Sequence, residues 1–397
     1  MKILVANVGS TSFKFKLYNM PDETILAHGK IENIGYKESF YQLNSSNDET
    51  KGSKKYENYK SAISDCIDFI ISPAHKILNS LNEISAVGFK TVHGKNMREC
   101  RILDDPVLKA MEEYNFLAPA HNPPYINAIR IFKKLIPGIP AVGLFEPAFH
   151  QNIPDYAYTT GLPLELAEKH GIRKYGFHGA SHRYISERAP EFAGIDPANV
   201  RLISCHLGGS SSICAIKNGQ SIDTSMSFSP QSGLLNANRC GDLDPFIPLF
   251  LQKVENMTVD EVADLLQSQS GLAGIAGALK GVKQIEQDAR QGDKNAELAV
   301  NTFCYRVKQY IGSYFVTLGG CDLLVFTGGI GEKGAPFRKQ ITHGLDCLGI
   351  KIDTYLNENV TGEAIVSSGD SKVKVAVVPT NEELVVAREV KELLQKN

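Results

Sequence analysis

Two short turns far apart in the chain carry the residue types that hold phosphate. The first is Asn7-Val8-Gly9-Ser10-Thr11-Ser12, with Lys14 just beyond it; the second is His206-Leu207-Gly208-Gly209-Ser210-Ser211-Ser212. Glycine lets backbone N–H groups approach an anion closely, and neighbouring hydroxyls add donors. Ordinary hairpins with permissive tips also use glycine, but each of these turns stacks several hydroxyls beside it. A chain that builds this device twice is expected to hold one polyphosphate between two related halves. A G-x-x-x-x-G-K-[ST] P-loop is absent, whereas a G-x-G-x-x-G stands at Gly329-Ile330-Gly331-Glu332-Lys333-Gly334, with Asp353 further on. Only one strand of note follows it, too little for a dinucleotide-binding unit. It reads better as a third turn that contacts phosphate or adenosine.

Carboxylates and cations come next. Glu146 ends the apolar run Ala141-Val142-Gly143-Leu144-Phe145, and Glu382 follows Val377-Val378-Pro379-Thr380-Asn381. Mg²⁺ carried with a nucleotide needs only one or two protein carboxylates, so both are candidates. A place in a first helical turn would equally account for Glu382 as a charge that suits a helix N-terminus. Lys90, His93, His121, His178 and Arg239 all sit beside turn residues rather than inside amphipathic stripes. The segments Tyr175-Gly176-Phe177-His178-Gly179-Ala180-Ser181-His182-Arg183 and Asn238-Arg239-Cys240-Gly241-Asp242-Leu243-Asp244-Pro245 are dense in donors. Single histidines are more often structural, but several such loops together point to an anionic site.

The elements that must position these residues alternate between strands and helices. Each phosphate-type turn lies between two apolar runs, which predicts strand, turn, strand. Residues 36–60 are polar and are expected to form an exposed excursion, followed by a helix over 61–80. Strands are predicted over 86–92, 141–145, 322–326 and 373–378. Asp104 and Asn122-Pro123-Pro124 open helices, Thr258-Val259-Asp260-Glu261 is a capping box, residues 294–318 form a long helix, and Asn381 caps a closing one. The pattern restarts near residue 150, so an α/β chain with an internal duplication is expected. The domains would be 1–148 and 149–383, with the helix 384–397 packing back on the first.

Composition excludes several classes. The chain has 397 residues, a net charge of −2 and 43% hydrophobic content. That length accommodates two cores, and the charge makes no case for nucleic acid or an anionic membrane. No apolar stretch reaches membrane-spanning length. Met1-Lys2-Ile3-Leu4-Val5 enters a strand directly, so no signal peptide is expected. The eight cysteines form no C-x-x-C pair, which suggests buried thiols in a reducing cytoplasm.

With these residues assembled, the chain resembles the acetate kinases, short-chain carboxylate kinases of the actin-like ATPase, sugar-kinase (ribonuclease H-like) fold with a cleft between domains. The resemblance spans nearly the whole chain. It rests on Asn7 to Lys14, Val92-His93-Gly94, Ala118 to Pro124, Ala148 to Gln151, Tyr175 to Arg183, Asp223 to Met226, Arg239 to Pro245 and Pro379 to Glu383. It implies His178, Arg239 and Lys90 as catalytic residues. Asn7, Ser10, Ser12 and Lys14 would bind the nucleotide with His206, Gly208, Gly209 and Ser210. Gly281, Val282 and Lys283, and Gly329, Ile330, Gly331 and Lys333, would complete the nucleotide site. Lys90, Val92, Ala120, Phe177 and Pro230 would line the acid pocket, and Asn7, Glu146 and Glu382 would hold Mg²⁺. ATP and ADP, a small carboxylate and a homodimer come with the resemblance.

The departures from the family pattern fall in this site. Lys90 stands where the family has Arg, and Glu146 where it has Asp. Gly208-Gly209-Ser210 replaces Gly-Asn-Gly, Gly281-Val282-Lys283 replaces Asp-Phe-Arg, Lys333 replaces Asn, and Ala120 replaces Leu. Lys90 keeps a charge but loses the planar fork that grips carboxylate or phosphoryl groups. The missing Asp-Phe-Arg leaves the phosphoryl donor open. Ala120 leaves room for a longer acid, a difference worth roughly 1–3 kcal/mol per methylene. The expected reaction is reversible phosphoryl transfer from ATP to a carboxylate; a nucleotide or acyl-phosphate binder without turnover is the alternative.

Overall fold

The computed structural model describes residues 1–45, 48–119, 121–277 and 280–396. Its contacts divide the chain into two compact units, Met1–Ala148 with Asn381–Asn397, and Phe149–Thr380.

The first unit is built on one sheet. Its strands are Lys2–Val8 (β1), Phe13–Asn19 (β2), Thr24–Glu32 (β3), Ser39–Ser45 (β4), Glu49–Lys54 (β5), Ile84–Thr91 (β6), Cys100–Ile102 (β7) and Ala141–Phe145 (β8), in spatial order β5-β4-β3-β2-β1-β6-β8-β7. β1 to β5 form an antiparallel meander, and β6 and β8 add in parallel. Helices Tyr59–Ile71 (α1), Asp105–Glu113 (α2) and Asn122–Leu135 (α3) cover one face. The core there includes Phe13, Phe15, Phe89, Ile63, Ile129 and Phe132. Asp104 caps α2 by accepting from the Val107 N–H at 3.0 Å, an interaction worth about 1 kcal/mol.

Two expectations differ from what is found here. The polar stretch 36–60 contains β4 and β5 rather than an open excursion. β4 pairs with β3 and β5 with β4, and β5 sits at the sheet edge, where polar side chains are tolerated on both faces. The helix expected over 61–80 ends at Ile71, because Pro73 disfavours helical backbone at Ser72, which is extended at ψ 126°.

The other face of this sheet receives the C-terminal helix Glu382–Lys396, which packs on β1, β6 and β8. Gly88 in β6 permits the close approach: a Cβ there would lie 2.9 Å from Val386 Cγ1 and 3.1 Å from Val390 Cγ2. Arg388 grips Glu23 through two hydrogen bonds of 2.8 Å, and Asn381 accepts from the Leu384 N–H at the helix start.

The second unit repeats the plan. Its strands are Arg201–Leu207 (β9), Ser211–Lys217 (β10), Gln220–Thr224 (β11), Leu323–Thr327 (β12), Ala364–Ile365 (β13) and Lys374–Val377 (β14), ordered β11-β10-β9-β12-β14-β13. Three antiparallel strands are again followed by two parallel additions, so β11-β10-β9-β12-β14 matches β3-β2-β1-β6-β8. Its helices are Asp155–Tyr158 (α4), Leu164–His170 (α5), Gly179–Ala193 (α6), Phe246–Val254 (α7), Val259–Ser268 (α8), Gly271–Ile275 (α9), Val282–Arg290 (α10), Lys294–Leu318 (α11), Gly328–Lys333 (α12), Ala335–Thr342 (α13) and Thr354–Glu358 (α14). The long α11 buries Phe303, Val307 and Ile311 against β9, β10 and the surrounding helices. The opposite face is covered by α6 through Ile185 and Ala189. α6 carries Ser181, His182 and Ser186 on its buried side, and that polar content hides the usual apolar periodicity of a helix.

Candidate active site

In the first unit the polar residues gather beside the C-terminal ends of β6 and β8. Lys90 lies two residues after Gly88, on the same face of β6, and so meets the first turn of the C-terminal helix. Its ammonium pairs with Glu382 and lies 3.3 Å from Glu146 Oε1. Glu146 is buried where it follows β8. Burial opposes the Lys90 charge, but Glu382 and Glu146 outweigh it and hold the ammonium well above its ordinary range. The Tyr125 hydroxyl, on α3, donates to Asn7 Oδ1 at 3.1 Å. Burial pushes that phenol up to about 12, with Lys90 working against the shift.

The first turn closes with the Gly9 N–H on the Ser12 carbonyl at 2.9 Å, and Tyr59 donates to the Gly9 carbonyl. Asn7 faces Lys14 across the β1–β2 ladder, while Ser10 and Lys14 are exposed.

In the second unit the turn between β9 and β10 is pinned on both sides. The Ser211 hydroxyl accepts from the Gly208 N–H and donates to the Gly208 carbonyl, each at 3.1 Å. The Ser211 N–H reaches buried Asn236 Oδ1 at 2.5 Å, and the Ala237 N–H reaches the Gly209 carbonyl at 2.9 Å. Asn236 leads to Arg239, whose Nη1 donates to Ser210 Oγ at 3.1 Å and to the Pro230 carbonyl at 3.3 Å. Burial lowers the Arg239 pKa from its ordinary value, yet a guanidinium stays charged in proteins. Gly208 also abuts α12, where a Cβ on it would lie 3.9 Å from the Gly329 N. Gly328, at φ +76°, admits no side chain, since a Cβ would meet the Leu207 carbonyl oxygen at 2.7 Å.

His178 precedes α6 in left-handed conformation, φ 56° and ψ 27°. Its Nδ1 is 2.8 Å from Ser212 Oγ, and its ring stacks on His206 at 4.2 Å. His206 Nδ1 is in turn 2.7 Å from Ser181 Oγ. Phe177 is buried and its carbonyl contacts His150 Nε2 at 3.1 Å. Burial lowers the His150 pKa to about 4.

The residues singled out in the sequence therefore fall into distinct groups. Asn7, Lys90, Glu146 and Glu382 gather in the first unit, near the turn that carries Ser10, Ser12 and Lys14. His178, His206, Gly208, Gly209, Ser210, Arg239, Pro230 and Gly329 gather in the second. Ile330 and Gly331 are buried inside α12, and Lys333 is exposed at its end. Gly281, Val282 and Lys283 open α10, and among the described residues no hydrogen bond joins them to the Gly208 turn. Val92 is buried just past β6, and Ala120 lies outside the described residues. Tyr125, His182, Ser204 and Ser212 also touch this machinery. The spacing Ser204-x-His206 on a strand and His178-x-x-x-His182 entering a helix was the signal for Ser204 and His182, and Ser212 already stands in the second glycine/serine turn.

Comparison with known proteins gives the family. The family model described as "Acetokinase family" matches residues 2–388. The chain belongs to the acetokinase family. It is 44% identical over 398 residues to the acetate kinase of Clostridium novyi, covering 100% of this chain and 99% of that one. The crystal structure of Porphyromonas gingivalis acetate kinase is similar at 37% identity and a TM-score of 0.86, covering 99% of each chain. A propionate kinase structure from Francisella tularensis is similar at 37% identity and a TM-score of 0.88, covering 98% of each. As a member of this family the chain is a carboxylate phosphotransferase with the actin-like ATPase, sugar-kinase fold.

Proposed function

We propose that the chain moves the γ-phosphoryl group of ATP reversibly to acetate or another short-chain carboxylate, giving an acyl phosphate and ADP. The observation that carries this reading is the convergence of two cationic or donor side chains on one glycine/serine turn. Arg239 reaches it through Ser210, and His178 through Ser212. The carboxylate is already an anion near neutral pH, so no general base is required. Catalysis is then positioning and charge stabilisation. Arg239 neutralises charge on the transferred group, His178 donates a hydrogen bond to one of its oxygens, and Lys90 orients the acid. The turn at Gly9 and the turn at Gly208 each offer backbone and hydroxyl donors to phosphate, and α12 stands beside the second.

The donor set in the first unit suits Mg²⁺. Glu146, Glu382 and Asn7 offer hard oxygen atoms, and two carboxylates suffice when nucleotide phosphates supply the rest. Among the described residues no group of three or more His, Cys, Asp or Glu forms a dedicated metal cage, in keeping with an ion shared with substrate. Bound there, Mg²⁺ would screen phosphate charge. Five of the eight cysteines are buried free thiols, which fits a reducing cytoplasm. Among the described residues no helix is long and apolar enough to cross a membrane.

A homodimer completes the proposal. No residue of α7 is buried, yet Phe246 is 73% and Phe250 60% exposed, alongside Ile247, Leu249 and Val254. Lys253 is the one charged residue in that helix. An apolar surface of this kind is uncommon on a monomer, and its near-neutral character favours a second copy over a charged partner.

Formation of acyl hydroxamate from ATP, Mg²⁺, hydroxylamine and each acid from C2 to C4 tests the activity. Product with at least one acid is expected, and the ranking identifies the preferred chain length. Tight ADP binding with no product from any acid would leave a binding protein. Binding of NAD without ADP would overturn the nucleotide assignment.

A further inference from the structure

A hydrogen-bonded line runs beneath His178 through the second unit. Ser212 Oγ lies 2.8 Å from His178 Nδ1 and 2.8 Å from His182 Nε2. His182 Nδ1 lies 2.9 Å from Ser204 Oγ. His182, Ser204 and Ser212 are fully buried. They sit on α6, β9 and β10, so three packed elements hold the line.

A hydroxyl has one hydrogen, so Ser212 donates to one of its two histidines and accepts from the other. A neutral His182 has one N–H and faces the same choice between Ser212 and Ser204. Burial, with His150 and His206 nearby, keeps His182 neutral far below the ordinary imidazole range. The directions are therefore coupled, and two patterns exist. In one, Ser204 donates to His182 Nδ1, His182 Nε2–H donates to Ser212, and Ser212 donates to His178 Nδ1. His178 then carries its own proton on Nε2. In the other every bond reverses, and His178 Nε2 becomes an acceptor.

Ser204 decides between them. Among the described residues, the one hydrogen-bond partner of its hydroxyl is His182. The reversed pattern would leave a fully buried O–H donor without an acceptor, which costs roughly 1–3 kcal/mol. The first pattern gives that hydrogen a place.

We propose that His182 is a positioning residue: through Ser212 it fixes His178 as the Nε2–H tautomer, the form able to donate to a phosphoryl oxygen. This rests on the reading of His178 as the donor to the transferred group. His206, stacked on His178, holds Ser181 and leaves this line intact.

Histidine ¹⁵N spectra of the full chain read the tautomer directly. His178 is expected in the Nε2–H form. His182→Gln places an amide donor where Nε2 stood, and should keep that form and most of kcat. His182→Leu removes the donor and should give a mixture of His178 tautomers, with kcat down by about tenfold or more and KM little changed. Ser212→Ala should also release the tautomer, and it carries the test if His182→Leu does not fold. An unchanged Nε2–H form in His182→Leu or Ser212→Ala overturns the proposal, whether or not kcat falls. So does an Nδ1–H form in the parent. His178→Ala with normal turnover would instead sink the catalytic reading of His178, leaving the tautomer measurement to stand by itself.

Discussion

Lys90 stands between two carboxylates that would otherwise repel each other in a poorly hydrated place. Its side chain is 20% exposed, Glu382 is 15% and Glu146 is 4%. Lys90→Met would strand both anions, and removing one partner from a buried ion cluster costs about 3–5 kcal/mol. The residual exposure puts the expected loss toward the lower end. Thermal unfolding should show a lower Tm, partly restored by Mg²⁺, and an unchanged Tm would mean that the carboxylates are stabilised by other groups. Ser210 is a second case, since it stands at a family glycine and gives Arg239 a hydroxyl acceptor. A hydrogen bond to a charged group is worth about 1.5–3 kcal/mol. Ser210→Gly should therefore lower kcat/KM by about tenfold to a hundredfold with little change in Tm; an unchanged kcat/KM would show that Pro230 alone positions the guanidinium. The types of Lys90, Glu146 and Glu382 were legible from their places beside turns. The resemblance put Glu146 and Glu382 at one site, but their ion pairing with Lys90 was not legible, because residues so distant in sequence meet only through packing.

At the scale of elements, the packing of α6 on β9 and β10, and of His150 on β11, is where acid should act first. His150 accepts or donates at Ser221, 2.8 Å away, and His182 lies between two serines. Burial keeps both neutral below the ordinary imidazole value of 6.5, His150 down to about 4 and His182 well below 6.5. Between those values the unfolded chain takes up protons that the folded chain refuses. Their contribution is complete above about 6.5 and is lost as pH falls toward 4, with a limiting slope of about 1.4 kcal/mol per pH unit for each group. Denaturant titrations at pH 7, 6 and 5 should show steadily falling stability, less steep in His150→Gln; a flat profile would remove the buried histidines as its cause. The strand-turn-strand units and the long helix 294–318 could be read from local pattern. α6 could not, since its inward face is polar and its periodicity was masked, and β4 and β5 could not, since β4 is largely polar and β5, at the sheet edge, needs no apolar alternation.

For the whole molecule, the exposed helix α7 sets the expectation. Phe250→Glu places a charge in the middle of its apolar face and should convert the proposed dimer to a monomer of unchanged fold. Light scattering after gel filtration reads the mass, and a parent that elutes as a monomer at micromolar concentration would remove α7 as a dimer surface. The repeated sheet order explains why the same turn chemistry occurs twice, at the first hairpin of each unit.

By itself the sequence determined the α/β class, the duplicated hairpins, the phosphate-type turns and the family. These follow from local rules: glycine and hydroxyls at tight turns, alternating apolar runs, caps and breakers. Tertiary structure alone decided that Glu382 joins Lys90 and Glu146 in the first unit, because Gly88 lets a helix from the far end of the chain come close. It also decided that His178 is backed by Ser212 and His182, because three separate elements bury their polar atoms together. Such contacts depend on the burial of long-range neighbours, and no local pattern encodes which distant residues those will be.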